Sequence, residues 1–210
     1  RRELQSYFAS PMAYGIATIF WLLAGFLLVI LVFGPQGLLA QSAFADQAGL
    51  QSPPLDLPYE FTQFYLGLLG SLSMFILPAL SMGLYTDERK QGTLELLATS
   101  PITNWAVALG KLLGVVTFFI SMVLPLLVLE SFVVGSADPP FDLRLLFLGH
   151  GGLVLLAAGI LSLGMFISSL TESTVLAAIL TFAMVLVLFV LEGLASGIPG
   201  PIGEAIGHLS

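Results

Sequence analysis

The chain has 210 residues, 57% of them hydrophobic and only 9% charged, with a mean hydropathy of +1.02. Soluble domains carry about a quarter charged residues, so this chain lacks the polar surface to keep a core in water and most of its exterior must face lipid. A net charge of −7 with only six Lys and Arg excludes a nucleic-acid binder, and the absence of Cys excludes disulfides, thiolate zinc sites and Cys nucleophiles.

In chain order, apolar windows of the roughly 20 residues that a bilayer-crossing helix needs lie at about 12–33, 62–85, 105–133, 144–170 and 174–194. The sequence opens on Arg1 and not Met, so its natural start is expected to be missing or processed. Its first apolar run exceeds the roughly 7–15 residues of a signal-peptide core and reads as a first span. In hydrocarbon every backbone N–H and C=O must bond within its own segment, which predicts helices. The ten-residue alternation of an outer-membrane barrel is absent. The predicted fold is therefore all-α: one polytopic transmembrane domain over 1–210.

Ser10 and Ser100 precede Pro11 and Pro101 at the heads of spans 1 and 3, where Ser can cap and Pro needs no N–H. Tyr14 and Trp105 follow as interface aromatics. Arg1, Arg2, Arg89, Lys90 and Lys111 cluster on one side of the spans, with only Arg144 opposite. By the positive-inside rule the N-terminus and the 86–104 connector are cytoplasmic, and the acidic loops 34–61 and 134–143 are external. Five spans leave the C-terminus outside, and the Gly- and Pro-rich tail 195–210 reads as an external re-entrant segment leading into a further span.

The connector reads "YTDERKQGTLELLATSP" (85–101), and it gathers Asp87, Glu88, Arg89 and Lys90 in one place. Span 2 can run past the membrane surface into these charges before Gly92 breaks it. Thr93 can then cap a short helix in which Leu94, Leu97 and Ala98 share a face and Glu95 points elsewhere. A charged span end commonly marks where lipid stops, and a short amphipathic helix commonly rests in headgroups. The near balance of acid and base around a small apolar face favours a protein partner over anionic lipid.

The stretch 85–111 is similar to the cytoplasmic segment of type-2 ABC transporter permeases. The matching positions are Glu88, Arg89, Gly92, Thr93, Glu95, Leu96, Leu97, Ser100, Pro101, Gly110 and Lys111. The opening "ELQSYFASPMAYG" resembles the family's amphipathic lead-in, and "FISSLTESTVLAAIL" (166–180) its tight turn between spans 4 and 5. The nearest subgroup is the one associated with bacterial gliding motility.

This resemblance implies a bacterial inner-membrane exporter subunit in which two permease copies pair with two ATP-binding cassette ATPase subunits. It implies that Asp87, Glu88, Arg89, Lys90, Gly92, Thr93, Glu95, Leu96 and Leu97 couple the chain to the ATPase. ATP and Mg would sit on that partner, with no cofactor on this chain. The family has six spans, so the sixth is expected to be truncated or unresolved.

No Walker A loop is present: Gly110-Lys111 is followed by Leu inside a span. H-E-x-x-H and G-x-S-x-G are also absent, and the chain reads as a transport subunit and not an enzyme. His150 and His208 read as interface residues. Glu130, Glu172 and Glu192 read as span-end carboxylates near water, and Lys111 as snorkelling to the surface. Gly67, Gly70, Ser71 and Met74 in "GLLGSLSM" permit close helix contact or line a path, as do Gly164 and Ser168. Pro78 and Pro125 predict kinks. Two other readings stay open. One is a non-transporting partner that relays ATPase-driven motion to an extracytoplasmic protein through loop 34–61. The other, a secondary transporter, is disfavoured by the lack of midplane charge and inverted repeats.

Overall fold

The computed structural model describes residues 8–48, 57–93, 103–135 and 142–197. The described residues are helical between short connections: α1 (Pro11–Phe33), α2 (Leu38–Ala48), α3 (Leu57–Ser81), α4 (Gly83–Lys90), α5 (Asn104–Gly135), α6 (Leu143–Leu170) and α7 (Thr174–Gly197). Five helical stretches are long and apolar enough to cross a membrane. Their outward faces carry Leu22, Phe26, Phe132, Leu148 and Leu155, all exposed, as lipid-facing helices require.

The helices fall into two compact units. The first lies within Arg1–Ile76 and Leu113–Ala158. Here α1 starts as predicted, with the Ser10 hydroxyl accepting from the Ala13 N–H and Pro11 at the first helical position. Ala13, Ala17, Phe20, Ala24, Leu28 and Val32 recur every three or four residues and form its buried stripe. Phe20 packs against Phe119 at 6.3 Å, and Trp21 donates its indole N–H to the Met122 carbonyl at 2.8 Å. Tyr65 is fully buried, stacks on Phe61 and donates to the Ala24 carbonyl at 3.0 Å.

The second unit lies within Leu77–Leu112 and Gly159–Ser210. Its tightest point is Gly164 of α6, where an added Cβ would run into the Ser81 hydroxyl and come within 3.1 Å of Thr181. The expected close packing at Gly164 is therefore present.

Several expectations need correction. Loop 34–61 contains α2, whose "LLAQSAFADQA" favours helix but is too polar and short to register as a span. Span 2 is two helices, interrupted at Met82 one turn after Pro78. Glu130 is fully buried and His150 nearly so, because α5 and α6 turn these side chains toward neighbouring helices and not toward water. Lys111 does not snorkel; it is buried against an acid of its own chain. An added Cβ at Gly67 or Gly70 meets nothing within 4 Å, so neither glycine packs closely on another described helix of this chain. The predicted helix after Thr93, the Ser100–Pro101 cap, Pro53, Pro54 and the tail beyond Gly197 lie outside the described residues.

Candidate functional site

The eight residues of α4, "GLYTDERK", divide their side chains by direction. Leu84 and Thr86 are buried, Glu88 and Arg89 half-buried, and Asp87 and Lys90 exposed. Residues four apart share a helix face, so Gly83 and Asp87 form one edge of α4. A Cβ at Gly83 would meet the Asp87 carboxylate. The helix packs against α7.

Its charges reach three other helices. Arg89 donates Nη2 to the Ser169 carbonyl at 2.9 Å and Nη1 to the Thr171 carbonyl at 3.5 Å. The final carbonyls of a helix have no partner within it and carry partial negative charge, so a guanidinium at the end of α6 satisfies both needs. Lys90 donates to the Thr174 hydroxyl, at the first residue of α7, at 2.5 Å. Glu88 Oε1 accepts from Lys111 Nζ of α5 at 2.6 Å, with the two side chains 22% and 3% exposed. Lys111 also lies 5.3 Å above the Tyr85 ring, a cation–π placement. The second Glu88 oxygen is buried without a hydrogen-bond partner.

The start and end of α4 are fixed by equally specific contacts. Ser168 of α6 donates its hydroxyl to the Met82 carbonyl at 2.9 Å and accepts from the backbone N–H groups of Tyr85 and Thr86. At the other end Gln91 N–H donates to the Asp87 carbonyl, and Gly92 takes φ +67°, the left-handed conformation that glycine adopts without steric cost. Thr93 donates its hydroxyl to the Glu88 carbonyl at 3.2 Å, and the helix it is expected to cap lies outside the described residues.

Of the residues expected at a coupling site, Glu88, Arg89, Lys90, Gly92 and Thr93 thus form one bonded cluster and Asp87 faces outward. Glu95, Leu96 and Leu97 lie outside the described residues. Of the residues expected on a path, Gly67 and Ser71 line a groove of about 820 Å³ in the first unit, with Leu31, Gln36, Gln41, Glu60 and Gln63 among its walls. Gly70 and Met74 are half-buried there, and Pro78 is buried in the second unit.

The profile of a family described as ABC-2 family transporter protein matches residues 51–205. The chain belongs to the ABC-2 transporter family. In that family the membrane chain is a transport subunit and ATP hydrolysis belongs to a separate one, with dimeric permeases general. Neither curated proteins nor solved structures gave a match. The matched stretch takes in all of α3 to α7, and with them the whole bonded cluster of this ABC-2 family member.

Residue patterns marked Ser168 only for close helix contact and did not reveal its bonds to α4, the role of the Ser169 and Thr171 carbonyls, or the pairing of Glu88 with Lys111. A usable signal existed for the last: a Lys inside a span requires an acid or an exit to water, and the connector carries Asp87, Glu88 and Glu95 just beyond the lipid edge.

Proposed function

We propose that this chain is the membrane subunit of an ATP-driven exporter in a bacterial inner membrane, close to the gliding-motility subgroup. It pairs with a second permease copy, and α4 docks in a groove of a separate ATP-binding cassette ATPase. The observation that carries this reading is the division of charge on α4. Glu88, Arg89 and Lys90 tie the helix to α5, α6 and α7, while Asp87 stays exposed. A helix pinned to three spans and open on one edge transmits a push to all three at once. Closure of the ATPase dimer would supply that push, and the two states of the spans would differ in their contacts with α4.

The test is co-purification of the full-length protein in mild detergent, with wild type and Asp87→Lys compared. Wild type is expected to retain an ATP-binding subunit in stoichiometric amount. Asp87→Lys is expected to weaken that retention at least tenfold while unfolding at the wild-type temperature, because the substituted side chain is exposed. Full retention by the variant, or no ATPase with wild type across several detergents, would sink the docking reading.

A further inference from the structure

Glu130 of α5 and His150 of α6 meet inside the first unit, with His150 Nε2 3.2 Å from Glu130 Oε1. His150 Nδ1 lies 3.0 Å from the Leu146 carbonyl one turn back. A carbonyl can only accept, so Nδ1 carries the hydrogen. In a neutral imidazole that leaves Nε2 as a bare acceptor, facing a carboxylate that is itself acceptor-only when ionised. Glu130 Oε1, Glu130 Oε2 and His150 Nε2 are all buried without a hydrogen-bond partner. Three acceptors thus converge with no donor among them.

Among the described residues the neighbouring groups do not supply one. Tyr65 of α3 directs its hydroxyl hydrogen to the Ala24 carbonyl. Glu60, Asp142 and Arg144, the charged side chains of this unit at the ends of α3 and α6, are exposed. Buried polar atoms are almost always hydrogen-bonded, and a bare carboxylate in apolar surroundings is the costliest arrangement available.

We propose that Glu130 and His150 form a buried proton-binding site that holds one proton between Nε2 and Oε1. With that proton in place the cluster has no net charge whichever atom carries it, and two of the three orphaned acceptors are satisfied. Glu130 stands five residues before the end of α5 at Gly135, and His150 seven after the start of α6 at Leu143. At 1.5 Å per residue both are about 8–10 Å from those ends. The basic-residue distribution puts those ends outside, so the proton exchanges with external water.

The test uses the full chain in lipid nanodiscs, labelled with ¹⁵N-histidine. Only two His are present, so His208→Asn leaves His150 as the single reporter. The expected spectrum shows Nδ1 protonated and Nε2 shifted well away from a free lone-pair nitrogen, either as N–H or as the acceptor of a strong bond. Glu130→Gln is expected to move the Nε2 signal while the Nδ1 signal stays. A free lone-pair signal at Nε2 in the chain with Glu130 intact overturns the proposal, as does an Nε2 signal unmoved by Glu130→Gln. Where Glu130→Gln fails to fold, the spectrum with Glu130 intact decides alone.

Discussion

Glu88→Ala removes the carboxylate that the buried Lys111 ammonium pairs with and leaves the face of the Tyr85 ring beside it. Removing one partner of a fully buried ion pair costs about 3–5 kcal/mol. The Glu88 side chain is 22% exposed, so water already screens the pair, and a residual cation–π contact offsets about 0.5–1 kcal/mol. The loss expected for Glu88→Ala is then about 2–3 kcal/mol. Lys111→Met keeps the buried stem and leaves the charge on Glu88, the partner whose side chain is less buried, so about 1–2 kcal/mol is expected. The double variant strands neither charge and should be at least about 2 kcal/mol more stable than the sum of the single losses predicts. The assay is reversible unfolding of the purified protein in mixed micelles of rising SDS content, read by helical circular dichroism. Additivity within about 0.5 kcal/mol would refute the pairing as an energetic unit.

Arg89→Met should cost about 1–2 kcal/mol in the same assay, because the last carbonyls of α6 lose their donor. Arg89→Lys should recover less than half of that, since an ammonium lacks the fork that reaches Ser169 and Thr171 together. Gly164→Ala should cost about 1–3 kcal/mol through overlap with Ser81. Ser81→Gly in the same chain should restore most of that loss, and a thermal melt that shows no rescue would count against the contact.

The spans were legible because hydrocarbon imposes a length and forbids unpaired backbone, and both constraints leave a mark on every residue in the window. The predicted head of span 1 at Ser10, the apolar window opening at about 105 and the turn after Leu170 fall within one or two residues of the observed ends. The helix α2 was not legible, since a segment this short and polar carries neither mark and its residues are merely compatible with helix. The site was half legible. Its charges stood out against 9% charge overall, but their direction did not. Glu88 and Arg89 look like solvent-facing residues in one dimension and turn inward only once α5 and α6 come alongside. A charge-swap of these two residues, the natural test of docking from sequence, would set a second ammonium against Lys111 and disturb the fold itself. Glu130 and His150 misled for the same reason, because nearness to a span end says nothing about which side of the helix a residue occupies.

The Ser168 hydroxyl has a consequence for where the geometry of α4 is encoded. Span 2 supplies the residues of the interruption at Met82, yet it is α6 that furnishes the atom to which the freed carbonyl and two N–H groups bond. A carbonyl and two N–H groups at this interruption are therefore satisfied by a residue more than eighty positions away. Position 168 acts as one more anchor of the connector: methyl in place of hydroxyl would keep the apolar pattern of span 4 intact and leave the Tyr85 and Thr86 N–H groups without this acceptor.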